Sequence, residues 1–102
     1  MEKELSVENV VYVKHDEKSV QIYMSDGTFF SDDIAYYRVV RMLTDTFIRV
    51  NKNVIINLNY ARRIDGDMIV LTPDCKFNMD ELYKKTVTNE FYKLKLMNFL
   101  PN

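Results

Sequence analysis

The chain has 102 residues, 47% of them hydrophobic and 28% charged, with 14 basic and 15 acidic side chains and a net charge of −1. Such a length supports one domain with a modest core, and the composition excludes a disordered chain. No apolar run approaches the roughly 20 residues of a spanning helix, the start MEKELSVENV carries no signal-peptide pattern, and the single Cys75 excludes an internal disulfide, so a soluble cytoplasmic domain is expected.

Residues 9–14 (NVVYVK) form an apolar, β-rich run. Residues 19–24 (SVQIYM) alternate, with Val20, Ile22 and Met24 on one face and Ser19, Gln21 and Tyr23 on the other. The short polar connector HDEK makes the two runs a hairpin. Ser25, Asp26 and Gly27 then signal a turn into a third short strand at 28–31. Both glycines of the chain, Gly27 and Gly66, follow an aspartate between apolar runs. That is hairpin punctuation; a phosphate-cradling loop needs clustered glycines.

Asp32 and Asp33 supply capping side chains for a helix over about 33–43, where Ile34, Tyr37, Val40, Arg41 and Leu43 recur with a period near 3.6. Strands follow at 47–50 and 54–57, then a short NYARR segment. A hairpin of 63–65 and 68–72 comes next, then a Pro73-Asp74 turn and a strand at 75–79. Asp80 caps a final helix starting at Glu81, weakened through Thr86, Val87 and Thr88 by β-branched side chains. The tail FYKLKLMNFL fits a helix or a strand. The fold class is therefore mainly β, with antiparallel hairpin-connected strands, one helix near 33–43 and a C-terminal helix.

Charge is segregated along the chain. Residues 1–34 carry 8 acids and 3 bases, 35–63 carry 1 acid and 6 bases, 64–80 carry 4 acids and 1 base, and 81–102 carry 2 acids and 4 bases. Either this segregation presents a basic face able to attract phosphate, or the blocks interleave in space and cancel. Within the basic block, two β-branched runs flank Asn51, Lys52 and Asn53. Amides and cations are the side chains that read base edges in a DNA groove. Asn also forms turns itself, because it tolerates left-handed backbone.

Catalytic constellations are thin. His15 is the only histidine, flanked by Asp16, and reads as an exposed hairpin-loop residue. Cys75 has no CxxC partner and reads as an inert, half-buried thiol. The pairs Asp32/Asp33 and Asp65/Asp67 fall where caps and turns need acids. No enzyme, catalytic residue, metal, cofactor or small-molecule substrate is expected.

The run FIRVNKNVIINLNYARRIDGDMIVL resembles the core of LytTR-type DNA-binding domains. Their pattern is Phe, then Arg two residues on, then His, a Lys, Arg or Asn, a Ser, an aromatic, two β-branched residues and Asn. Phe47, Arg49, Val54, Ile55, Ile56, Asn57, Leu58, Ile64 and Gly66 fall in register, and the upstream order of elements matches as well. The resemblance spans about residues 8–85 and leaves 86–102 as a C-terminal tail of one 1–102 domain. It implies a bacterial output domain of the response-regulator kind that binds double-stranded promoter DNA, a homodimer on DNA included. In that family, loops enter successive major grooves of direct repeats. Met1 lies too close to the domain for a receiver in front of it, which suggests a stand-alone regulator or a fragment.

Carried over by position, the first contact loop is 15–19, with Lys18 and Ser19 nearest the family's contact. The second is Asn51, Lys52 and Asn53, with Arg49 just before it as a phosphate or structural residue. The third lies near 81–85, where Lys84 and Lys85, with Arg62, serve phosphates. Asn57 is expected to cap the strand corner. Asn51 and Asn53 stand where the family has His and Ser, and the third loop reads Asn78, Met79, Asp80, Glu81 where a basic residue is usual. An acid repels phosphate, so that contact shifts to Lys84 or Lys85 or is lost, and Asp16 and Glu17 oppose Lys18 likewise. The rival reading is a LytTR-like module acting in protein association through the apolar tail.

Overall fold

The computed structural model describes residues 7–31, 37, 40–41, 46–72 and 75–99. A 3-10 turn (Val7–Asn9) leads into β1 (Val10–His15) and β2 (Val20–Met24), and a Ser25–Thr28 connection closes onto β3 (Phe29–Phe30). After β4 (Phe47–Asn51) and β5 (Val54–Asn57) a 3-10 turn (Leu58–Tyr60) leads to β6 (Ala61–Asp65), β7 (Met68–Leu71) and β8 (Cys75–Asn78). Helix α1 (Glu81–Phe99) ends the described chain. Most of the expected 33–43 helix, its Asp32 and Asp33 caps and the Pro73-Asp74 turn lie outside the described residues. Tyr37, Val40 and Arg41 have helical backbone.

The strands form two antiparallel sheets, ordered β3-β2-β1-β5-β4 and β6-β7-β8. β5 lies between β1 and β4, and all four of its residues are buried. A strand covered on both faces needs a continuous apolar run, which Val54, Ile55 and Ile56 supply. Ile55 joins Val10, Val13, Ile22 and Phe47 in one cluster, against which Val40 packs. Val54 and Ile56 face the larger cluster with Val50, Ile69, Leu71, Val87 and Phe91, which fills the space between the two sheets and α1. The alternation expected of β2 holds: Val20, Ile22 and Met24 meet the first cluster, while Tyr23 stacks on Tyr12 at 4.4 Å. Tyr12 in turn meets Phe77 of β8 edge-on at 4.7 Å, so aromatic contact joins the two sheets.

The turns follow from their residues. Gly27 and Gly66 have φ of +90° and +61°, a left-handed conformation open to glycine at little cost. Asp26 closes the first of these turns by accepting from the Thr28 amide at 2.9 Å. Strand β6 begins at Ala61, two residues earlier than its sequence suggests, because the 3-10 turn spends only three residues on the corner. The tail is helical to Phe99. Val87 is fully buried and Phe91 nearly so. Burying each is worth about 1.5–3 kcal/mol, which outweighs the few tenths lost to β-branched helix propensity.

Among the described residues, Asn57 is a polar side chain buried in this core, 1% exposed. Its Nδ2 donates to the Val10 carbonyl at 2.9 Å, and its Oδ1 accepts from the Asn59 amide at 3.0 Å, capping the 3-10 turn as expected. Replacing Asn57 by Ala orphans both partners, at about 1–3 kcal/mol each. Asn57→Ala is therefore expected to lower unfolding free energy by about 3 kcal/mol in urea titrations. A loss below about 1 kcal/mol would show that the corner does not depend on this amide.

Candidate nucleic-acid interface

Antiparallel pairing of β1 with β5 sets Lys14 opposite Val54, which brings the end of β1 beside the β4–β5 turn. The contact is direct: the His15 amide donates to the Asn53 carbonyl at 2.8 Å. Residues 15–19 and 51–53, more than thirty positions apart in sequence, are thus joined at one end of the larger sheet.

Within the first loop, Asp16 is the organiser. Its Oδ1 accepts from the Lys18 amide at 2.8 Å and the Ser19 amide at 2.9 Å. Those two donors hold its carboxyl below the usual aspartate range, so it stays charged. The acid that opposes phosphate here is also the one that shapes the loop and leaves Lys18 and Ser19 exposed.

The second loop is a two-residue turn, Lys52 and Asn53, following a bulge at Val50. No described residue other than glycine has a positive φ, so left-handed asparagine plays no part in it. The side chain of Asn51 does the shaping: its Oδ1 accepts from the Asn53 amide and its Nδ2 donates to the Asn78 carbonyl, both at 2.9 Å. Lys52 and Asn53 are exposed.

That bond to Asn78 ties in the third loop, as does the Asp80 amide, which donates to the Val50 carbonyl at 2.9 Å. The Met79 amide donates to the Asp67 carbonyl at 2.7 Å and adds the β6–β7 turn to the same end. Asp80 begins α1 through its carbonyl, which accepts from the Tyr83 and Lys84 amides. Lys85 is exposed, but Lys84 forms an ion pair with Asp67, whose carboxylate holds the ammonium above its ordinary range. Arg62 is exposed near the start of β6, four residues from the Gly66 turn and so about 13 Å along the strand from this end.

His15 departs from expectation. It is half-buried, not an exposed loop residue, and its Nε2 lies 2.9 Å from Arg49 Nη1. The same Nη1 donates to the Lys52 carbonyl at 3.1 Å. Burial pushes the imidazole below its ordinary pKa, the Arg49 charge adds to this, and Asp16 opposes it. Nothing local marks His15 for this role, because the pairing of β1 with β5 creates it. Among the described residues no three His, Cys, Asp or Glu side chains gather where a metal ion would be held.

The family model for the LytTr DNA-binding domain matches residues 3–93. A solved LytTr DNA-binding domain of a Bacillus cereus response regulator superposes with a TM-score of 0.72 at 15% identity, covering 84% of each chain. No curated protein sequence matches.

Asn51→Ala should expose the Asn53 amide and detach the Asn78 carbonyl, costing about 1–2 kcal/mol. Amide exchange is the measurement: Asn53 should lose protection while the β1 and β5 amides keep theirs. Unchanged exchange at Asn53 would mean that the turn holds without its asparagine.

Proposed function

The chain belongs to the LytTR family of DNA-binding domains, and on that premise we propose that it reads promoter direct repeats with loops that enter the major groove. The observation that carries this reading is the joining of three loops, distant in sequence, at one end of the two sheets. Lys18, Ser19, Lys52, Asn53 and Lys85 are exposed on those loops. Lys52 is assigned to guanine O6 or N7, and the Asn53 amide to adenine. Lys18, Lys85 and Arg49 serve phosphates and fix register, with Ser19 beside them in the first loop. Asn51 is assigned to loop shape, since both ends of its amide are already bonded. Lys84 contributes less, because Asp67 shares its charge. Among the described residues no helix is long and apolar enough to cross a membrane, and the assigned place of action is the cytoplasm.

Acids stand on the same loops as the cations. Asp16, Glu17 and Glu81 are exposed, and Asp80 is half-buried. They weaken the general attraction to phosphate, so the salt dependence should be shallow for a DNA reader. The three cations assigned to phosphates, Lys18, Arg49 and Lys85, correspond to a log K against log salt slope of about −2 to −3 per domain.

A pool of randomised duplex DNA, with selected sites measured at several salt concentrations, tests the assignment. An enriched repeat together with that slope is expected, and flat or unselective binding would overturn it. Lys52→Ala should relax one base position by about 1–3 kcal/mol, whereas Lys85→Ala should weaken every sequence alike and reduce the slope by about 1. If both act uniformly, the central loop does not read bases.

A second reading, association through α1, is favoured by one observation. Leu82, Tyr92, Leu96 and Met97 are 57–81% exposed, away from the face that buries Val87 and Phe91. Sedimentation should then reveal a dimer that Leu96→Asp disperses, and a monomer over the whole concentration range would remove this reading.

A further inference from the structure

The guanidinium of Arg49 touches both of the first two loops through one nitrogen. Nη1 lies 2.9 Å from His15 Nε2 and donates to the Lys52 carbonyl, at the tip of the second loop, at 3.1 Å. A guanidinium has only donors, so the imidazole nitrogen facing it must present its lone pair. That leaves the single ring proton on Nδ1. Meanwhile the backbone of His15 donates to the Asn53 carbonyl, so the main chain directly and the ring through Arg49 both reach the same turn.

We propose that His15 is a positioning residue which, through Arg49, fixes the first and second loops relative to each other, and does so only while its ring is neutral. The proposal rests on the DNA-reading assignment above. A second proton on the ring converts the acceptor into a donor aimed at a cation. The bond to Arg49 is then lost, and two positive groups are left in contact. Arg49 no longer tethers the Lys52 carbonyl to the first loop.

The charged groups around the ring divide by element. Arg49 on β4 repels an imidazolium, and Lys52 adds positive charge in the adjoining turn. Asp16, next in the first loop, attracts it, and Val20, opposite His15 on β2, carries no charge. Burial and Arg49 outweigh Asp16, so the folded ring titrates below 6.5. The tether is therefore intact at and above the ordinary histidine value and is lost as pH falls through the window below it.

For DNA the two consequences of protonation differ. An added positive charge tightens binding to any sequence, while a loosened second loop reads bases less well. The discriminating quantity is the ratio of affinities for the selected site and for random duplex.

That ratio is measured at pH 8 and at a pH below the ring's own midpoint, which nitrogen NMR of the imidazole locates. A fall of about tenfold is expected on acidification, the size of one lost hydrogen bond to a charged group. His15→Gln keeps a neutral side-chain acceptor and should hold the ratio nearly constant with pH. His15→Ala should be poorly selective at both. Equal wild-type ratios at the two pH values, or a His15→Gln profile that follows the wild type, would overturn the tether while leaving DNA reading in place. Absence of selectivity at any pH would sink the reading itself, and the tether is then judged without DNA. In that arm, nitrogen NMR of the chain's single imidazole should find the proton on Nδ1 at pH 8. The Lys52 and Asn53 amide signals should shift with the ring's own midpoint, below 6.5. A proton on Nε2 at pH 8, or amides indifferent to the ring, would overturn the proposal whatever the DNA result.

Discussion

The antiparallel pairing of β1 with β5 is the constraint on which the rest of this structure depends. Tyr12, Val13 and Lys14 sit opposite Ile56, Ile55 and Val54, partners 40 to 44 residues apart along the chain. Closing so long a connection costs chain entropy, which is recovered only if the paired strands bury a continuous apolar surface. β5 meets that demand by being apolar on both faces until Asn57, whose amide fastens the end of the strand back to Val10. Every loop with a functional assignment is positioned by this pair or by what packs against it.

The same geometry explains why the polar residues at the loop end divide into those that shape and those that face outward. Side-chain oxygens order these loops by accepting from their backbone amides. Asn51 and Asp16 supply acceptors to the amides of the second and first loops, and Asn51 also reaches the third loop through Asn78. Asp16, itself exposed, and the half-buried Asn51 are tied by these bonds, and Lys18, Lys52, Asn53 and Lys85 are exposed beside them. The acids near them are partly structural: Asp16 closes a loop and Asp67 holds Lys84. An end built this way gives up general attraction to anions in exchange for ordered loops.

Much of the secondary structure was legible because its signals are local. Alternation in 19–24, the Asp-Gly pairs and the apolar run at 54–57 each correspond to a strand or turn at the expected place, and Asn57 caps its corner as its position implied. The strand edges moved by one or two residues, as at Ala61, where the pairing partner determines the end of a strand and a sequence window does not include it. The tail was ambiguous because its apolar residues suit either period. Burial of Val87 and Phe91 against the sheets resolves it as a helix, while Leu96 and Met97 remain exposed.

By itself the sequence determined the family, through the Phe47 to Gly66 pattern, along with the mainly β architecture, the turn residues and the location of Lys52 between two strands. These depend on neighbours a few residues away, and short-range backbone preferences carry them. Only the tertiary structure decided that His15 is a half-buried partner of Arg49, that Asn51 is bonded at both ends of its amide, and that Lys84 faces Asp67. Each of those side chains takes its role from a residue at least seventeen positions away in the chain. Contacts of that kind arise only when the strand order is known, because periodicity describes which face a residue occupies but not what stands across from it.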